Sequence, residues 1–127
     1  LEFRRVLFRS ETQLIDLAKR AADSLQAPPA RFVGNPVQKV RKIAFACGSG
    51  GSFVGNAVRC GCDAMVAGEA TFHTCLEAKA QGLGLILLGH YASERFAMEQ
   101  LATKLGKEFP DLRIWPSKIE SDPVTQC

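Results

Sequence analysis

The sequence predicts an α/β fold in which a mostly parallel sheet is flanked by helices and preceded by an N-terminal helix. Short apolar segments of strand length alternate with helical patterns along most of the 127 residues. This alternation is typical of parallel strands joined by right-handed crossover helices. The inner strand segments are apolar throughout, as expected for strands that are covered on both faces. We therefore expect the order β-α-β-α-β-α-β after the first helix.

The individual elements follow from apolar periodicity and from the residues that interrupt it. A helical repeat begins at Glu11 and stops at Pro28-Pro29, because proline interrupts a helix. Gly61 and Gly82 end the next two helices, and Pro110 ends the last. The predicted elements are a helix over 11–27, a short extended segment over 30–34, and then, in alternation, strands over 42–47, 64–67, 85–88 and 112–115 and helices over 53–60, 70–81 and 92–108.

Composition narrows the class of protein. Hydrophobic residues make up 46% and charged residues 23% of the chain, which is the balance of a globular domain. No apolar run approaches the roughly 18 residues that a membrane span requires, so no membrane partner is expected. The five cysteines are odd in number and irregularly spaced, so they cannot all pair within one chain. We expect buried free thiols and a reducing, cytoplasmic location.

The first ten residues differ in character from the rest of the chain. Residues 1–10, LEFRRVLFRS, resemble the translated frame of a sequencing-adapter oligonucleotide. We therefore expect residues 11–127 to be the native part and the natural N-terminus to lie upstream. A short basic strand or an amphipathic arm is the alternative for residues 1–10. Residues 11–127 carry 13 basic and 12 acidic groups, and this near-neutral charge argues against nucleic acid as a partner.

Three loops are expected at the carboxyl end of the sheet, where parallel α/β folds bind ligands. The first loop consists of Gly48, Ser49, Gly50, Gly51 and Ser52. Free backbone amides at the start of the following helix favour an anion such as a nucleotide phosphate. The loop lacks the Gly-Lys-Ser/Thr of a P-loop and the third glycine of a dinucleotide-binding fingerprint. A tight turn with Ser52 as the helix N-cap is the alternative.

The second and third loops contain the two histidines of the chain. Glu69 and His73 stand four residues apart, so they would share one face of a helix that began by Glu69. Such a pair is suited to acid–base catalysis or, alternatively, to helix capping. His90 and Glu94 also stand one helical turn apart, and they could converge on a divalent cation. A capped helix with a hydrogen-bonded His90 is the alternative.

The three loops together resemble a known family. The segments CGSGGSF, GEATFH and GHYASER, with the ending SKIESDPV, are similar to the C-terminal half of the Nif-three-like dinuclear-metal-centre proteins, the GTP cyclohydrolase 1 type 2 homologues. The resemblance covers residues 32–124. It implies a homohexamer with two divalent metal ions of the Zn, Mn or Fe class in a cleft. His90 and Glu94 match two metal ligands, Glu69 and His73 lie near the cleft, and the first loop lines it.

The resemblance also implies a function. Such a protein would be a metal-dependent hydrolase that opens the imidazole ring of a purine nucleotide such as GTP, with Glu69 or His73 moving the proton. The family's other three ligands, a His-His pair and an Asp, have no match in this chain. We therefore expect a fragment that binds metal weakly and is inactive by itself. The alternative is a non-catalytic, hexameric metal-binding or regulatory protein.

Overall fold

A computed structural model describes residues 4–125, apart from the side chains of residues 5, 8 and 9. Its elements are, in chain order, β1 (Arg4–Gln13), α1 (Leu14–Ser24), β2 (Arg31–Val33), β3 (Lys39–Ser49), α2 (Val54–Arg59), β4 (Ala64–Glu69), α3 (Phe72–Ala80), β5 (Gly84–Leu87) and α4 (His90–Glu108). A 3-10 turn over Gly51–Phe53 leads into α2. The predicted α/β class is confirmed, and each predicted helix has a counterpart.

The strands form one five-stranded sheet with the order β1-β3-β4-β5-β2. The three central strands, β3, β4 and β5, run parallel to one another. β1 and β2 pair antiparallel with β3 and β5 and form the two edges. The carboxyl ends of the central strands therefore meet at one end of the sheet, where Ser49 pairs with Glu69.

Two apolar cores lie on opposite faces of the sheet, because alternate residues of each central strand point to opposite sides. One core joins these strands to α2 and α3, and the other joins them to α1. Helix α1 contributes one apolar face, which carries Leu14, Leu17, Ala18 and Ala22. Both faces of the parallel strands are thus covered, which explains their continuous apolar sequence. The largest fully buried side chains are Leu14, Val40, Ile43, Val54, Met65, Leu83, Leu85 and Ile86.

Two predicted elements are corrected by the structure. The segment over 112–115 is irregular rather than a strand. The positions beside the central strands are taken by β1 and β2, and this segment lies along α4 instead of joining the sheet. The first helix begins at Leu14 rather than at residue 11, because residues 11–13 continue β1.

Strand β1 includes most of the segment for which an adapter origin is predicted. Residues 4–7 pair with residues 42–45 of β3. A sheet edge binds an extended chain through backbone hydrogen bonds, so this pairing does not depend on the origin of the segment. The division between residues 1–10 and 11–127 stays a prediction, and residues 1–3 lie outside the described part of the chain.

The cysteines are less buried than predicted. Cys62 is buried, but Cys60 and Cys75 are only partly buried and Cys47 is exposed. Cys127 lies outside the described residues. Within residues 4–125, none of the helices combines the length and the apolarity needed to cross a membrane.

Candidate metal centre

The loops that follow β3, β4 and β5 meet at the carboxyl end of the sheet, as predicted. Gly48 and Ser49 end β3, Glu69 ends β4, and His90 begins α4 shortly after β5. Parallel strands bring their carboxyl ends side by side, so residues far apart in sequence become neighbours here. The structure thus brings two of the predicted ligands and part of the predicted substrate loop into one region.

His90 lies between two carboxylates. Its Nδ1 atom is 2.8 Å from Oε1 of Glu69, and its Nε2 atom is 3.3 Å from Oε2 of Glu94. The three side chains are each about half exposed, so a ligand can reach them. Within the described part of the chain, no three His, Cys, Asp or Glu side chains form a group that could hold a metal ion. Glu69 and Glu94 approach different nitrogens of the His90 ring, so the two carboxylates are not placed to bind the same cation.

Two glycines allow the ends of β3 and β4 to pack closely against each other and against the start of α4. A Cβ atom on Gly48 would clash with Oε1 of Glu94 and would lie 3.0 Å from Nε2 of His90. Gly48 also has a φ of 61°, in the left-handed region that favours glycine. A Cβ atom on Gly68 would lie 2.7 Å from the carbonyl oxygen of Gly48. Glycine at both positions is therefore required for this packing of the strand ends.

The candidate substrate loop divides into positions that pack and positions that face solvent. Gly48 and Gly50 are buried, and Gly51 is partly buried. Ser49 and Ser52 are exposed. Within this loop, only the two serines therefore present side chains to a ligand, whereas the glycines contribute backbone.

One alternative and one conditional expectation for the site are not met by the structure. Ser52 is not the N-cap of α2, because a 3-10 turn precedes the helix and places Phe53 at the cap. Glu69 and His73 do not share a helical face, because Glu69 ends β4 and α3 begins only at Phe72. His73 is exposed, and its ring packs edge-on against that of Phe72 with the ring centroids 6.0 Å apart.

The contact between Glu69 and His90 is not among the predicted features, although a signal for it exists. Glu69 follows β4 and His90 follows β5, and these two strands are predicted to be consecutive members of a parallel sheet. Residues at such positions are expected to be neighbours. The missing information was which of the nearby polar side chains His90 would contact.

The surroundings of His90 raise its pKa above the ordinary value. The hydrogen bond with the Glu69 side chain is the main cause, the charges of both carboxylates add to it, and partial burial opposes it. Both carboxylates stabilise the protonated ring. Below this pKa a cation would have to displace a proton to bind His90, so its affinity is expected to fall as the pH drops through the pKa.

Replacing Glu69 by Gln is expected to lower the pKa of His90. The amide keeps the shape of the side chain but removes the negative charge that stabilises the imidazolium ion. The pKa is measured from the NMR shifts of the His90 ring during a pH titration of the chain. Glu108→Gln, at the far end of α4, is the control and should leave this pKa unchanged. An unaltered His90 titration in Glu69→Gln would contradict the observed contact.

A groove of about 770 Å³ extends from His90 and Glu94 along α4. Its second wall is the irregular segment after α4, which is attached to the helix by a hydrogen bond from Tyr91 Oη to the carbonyl oxygen of Glu120, 3.0 Å long. Its volume is in the range of small-molecule binding sites. The groove is not among the predicted features, because its second wall is the segment predicted as a strand. Its apolar lining includes Met98, Leu101, Leu105, Ile114 and Trp115.

Comparison with known proteins identifies the family of the chain. The family model Duf34/NIF3 (NGG1p interacting factor 3) matches residues 3–123. The chain belongs to the Duf34/NIF3 family. The match contains all three loops, so the family resemblance predicted from them is confirmed.

Curated relatives of this NIF3 chain are longer than the chain itself. The GTP cyclohydrolase 1 type 2 homolog of Staphylococcus aureus strain MSSA476 is 36% identical over 118 residues, which cover 90% of this chain and 32% of the relative. The protein of the same name from Haemophilus influenzae is 33% identical over 94 residues, which cover 74% and 38%. The chain thus spans about a third of the length of these relatives.

Solved structures of NIF3-related proteins share the fold. Staphylococcus aureus protein SA1388 superposes with a TM-score of 0.88 at 32% identity, covering 98% of this chain and 42% of that one. A Bacillus cereus protein related to NIF3 also reaches 0.88, at 26% identity, covering 97% of this chain and 35% of that one. The sheet order and the position of the three loops therefore belong to a NIF3 fold.

Proposed function

We propose that this NIF3 chain supplies two ligands of a divalent-metal centre, His90 and Glu94. The observation that carries the proposal is the 3.3 Å distance between Nε2 of His90 and Oε2 of Glu94. Two atoms that bind one tetrahedral ion at about 2.1 Å each lie about 3.4 Å apart. The donor atoms of the pair therefore fit a shared cation with little rearrangement.

The position of Glu69 supports the same proposal. A histidine that binds metal through one ring nitrogen commonly donates its other N–H to a carboxylate, which determines the tautomer and the ring orientation. Oε1 of Glu69 is 2.8 Å from Nδ1 of His90, which leaves Nε2 for the cation. We therefore assign Glu69 to orienting His90 rather than to proton transfer. The role of His73 in proton transfer stays a prediction.

Two protein ligands are fewer than a closed metal site requires. We propose that the remaining ligands lie in a part of the protein beyond this sequence, and that the complete centre holds two ions of the Zn, Mn or Fe class. Imidazole and carboxylate together are compatible with each of these metals. The chain by itself should then bind a cation weakly and without catalysis.

For the whole protein we propose metal-dependent hydrolysis of a purine nucleotide, in line with the names of its relatives. The metal ions would supply Lewis acidity and an activated water. In this chain, the apolar groove beside His90 and Glu94 offers the Trp115 ring as a surface for a purine base. The exposed hydroxyls of Ser49 and Ser52 offer hydrogen bonds to its polar groups.

A non-catalytic role in metal binding or regulation is the competing function, because the family is named after an interacting factor. Both functions would use the same metal ligands, and only the hydrolase would convert a substrate. The homohexameric state implied by the resemblance is compatible with both, and it stays a prediction.

The metal and the catalytic parts of the proposal are tested separately. Titration of the chain with Mn²⁺, followed by the EPR signal of the free ion, should reveal one weak site that involves His90 and Glu94. The complete reading frame that contains this sequence, loaded with metal, should convert GTP, as measured by chromatography of the products. Metal binding without conversion would overturn the hydrolase and favour the non-catalytic role. Absence of binding by both proteins would overturn the metal centre itself.

A further inference from the structure

Ser93 has an unusual position for a polar residue. The residue is 4% exposed, and among the described residues it is the one polar or charged residue in the buried set. It lies in the first turn of α4, between the two proposed metal ligands, His90 and Glu94. A buried hydroxyl is costly unless it is hydrogen-bonded, so its partners indicate its role.

The Ser93 hydroxyl connects two separate parts of the chain. It donates a hydrogen bond of 2.9 Å to the carbonyl oxygen of His90. It also accepts a hydrogen bond of 2.9 Å from the backbone N–H of Gly48, 45 residues earlier in the sequence. The first contact is local to the helix, whereas the second joins α4 to the end of β3.

The same hydroxyl is enclosed by glycine backbone. A Cβ atom on Gly68 would lie 2.5 Å from Oγ of Ser93. Gly48, the donor to this oxygen, is also the residue whose missing side chain leaves room for His90 and Glu94. A shift of Gly48 relative to α4 would therefore change the space around both proposed ligands.

We infer that Ser93 is a positioning residue that holds the loop from Gly48 to Ser52 in a defined place relative to His90 and Glu94. The inference rests on the proposed metal centre. The hydroxyl joins the first turn of α4, which carries the proposed metal ligands, to the start of the proposed substrate loop.

Ser93→Ala tests this inference on the full 127-residue chain. Alanine fits the buried space but leaves the Gly48 N–H without its acceptor, so exchange of the Gly48 amide with solvent, measured by NMR, should accelerate on the order of tenfold. The affinity for Mn²⁺, measured by EPR, should fall on the order of tenfold, as for the loss of other supporting contacts around metal ligands. Mn²⁺ is the chosen probe because it prefers oxygen ligands such as carboxylate to thiolate, so the cysteines compete little for it.

Two further variants separate positioning from lost stability. Ser93→Thr retains the hydroxyl and should restore both slow exchange at Gly48 and Mn²⁺ affinity. Ala78→Gly, in the buried face of α3, lowers stability without touching the hydroxyl and should leave Mn²⁺ affinity unchanged. If threonine does not fit, Ser93→Ala is compared with Ala78→Gly alone. A loss of Mn²⁺ affinity in Ser93→Ala but not in Ala78→Gly indicates positioning rather than lost stability.

The outcomes distinguish this inference from the proposed function. Equal Mn²⁺ affinity of Ser93→Ala and the unaltered chain would overturn positioning by Ser93 and leave the metal centre in place. Unchanged exchange at Gly48 in Ser93→Ala would also overturn it. Failure of the unaltered chain and of the complete protein to bind Mn²⁺ would overturn the metal centre, and the positioning role with it.

Discussion

Glu94→Gln is expected to remove most of the divalent-cation binding of this chain while leaving its fold intact. Glutamine retains the shape of glutamate, so α4 is preserved, but its neutral amide is a weaker ligand than a carboxylate. The loss of affinity should exceed the roughly 10- to 100-fold that loss of a supporting contact costs, because Glu94 is proposed to bind the cation directly. The measurement is a Mn²⁺ titration followed by EPR, with circular dichroism to report helix content.

Two matched variants make this result interpretable. Glu108→Gln removes the same charge from the exposed far end of α4 and should leave Mn²⁺ affinity unchanged. Glu69→Gln removes the carboxylate that orients His90 and should reduce affinity less than Glu94→Gln does. Equal Mn²⁺ affinity of Glu94→Gln and Glu108→Gln would show that Glu94 is not a ligand. A larger loss of affinity in Glu69→Gln than in Glu94→Gln would indicate that Glu69 is the ligand and that Glu94 orients His90.

Gly68→Ala is expected to lower the free energy of unfolding by about 1–3 kcal/mol or more, the range observed for overpacked sites. The added Cβ atom would lie 2.5 Å from Oγ of Ser93, 2.7 Å from the carbonyl oxygen of Gly48 and 3.0 Å from its Cα atom. Two of these three atoms are backbone, which cannot rotate away as a flexible side chain can. The measurement is urea unfolding, and Mn²⁺ affinity should fall in parallel because the same contacts support His90 and Glu94.

Gly106→Ala is the matched control within the same chain. A Cβ atom on Gly106 would meet no heavy atom within 4 Å, and the residue lies inside α4. Alanine there should raise the free energy of unfolding by about 0.5–1 kcal/mol, because glycine loses more backbone entropy in a helix. Gly68→Ala and Gly106→Ala should therefore have opposite signs, and destabilisation of similar size in both would contradict the packing described for Gly68.

The central part of the fold could be predicted because its signals are local. Apolar runs with glycine boundaries mark β3, β4 and β5, and intervening periodic segments mark the helices. The edges of the sheet were predicted less well. The segment over 112–115 has an apolar composition suitable for a strand, but it packs along α4 instead of joining the sheet. Whether an apolar segment joins the sheet or packs on a helix depends on contacts with residues far away in sequence, so no single window of sequence decides it.

In the candidate site, too, local contacts could be predicted from the sequence and contacts between distant residues could not. His90 and Glu94 are one helical turn apart, so their proximity follows from the helix itself. Glu69 would have shared a helical face with His73 only in a helix that began by Glu69. It pairs with His90 instead, because the strand continues through Glu69 and the helix starts three residues later. A boundary that differs by a few residues was therefore enough to change the partner of a functional side chain.

By itself the sequence determined the α/β class, the parallel central strands and the meeting of three glycine-containing loops at one end of the sheet. These features depend on local periodicity, on helix spacing and on the handedness of crossover connections. Only the tertiary structure decided that Glu69 contacts His90, that the Ser93 hydroxyl reaches Gly48, and that the segment after α4 forms a groove rather than a strand. Those features depend on distances between residues that are far apart in the chain, and such distances are set by the packing of all elements at once.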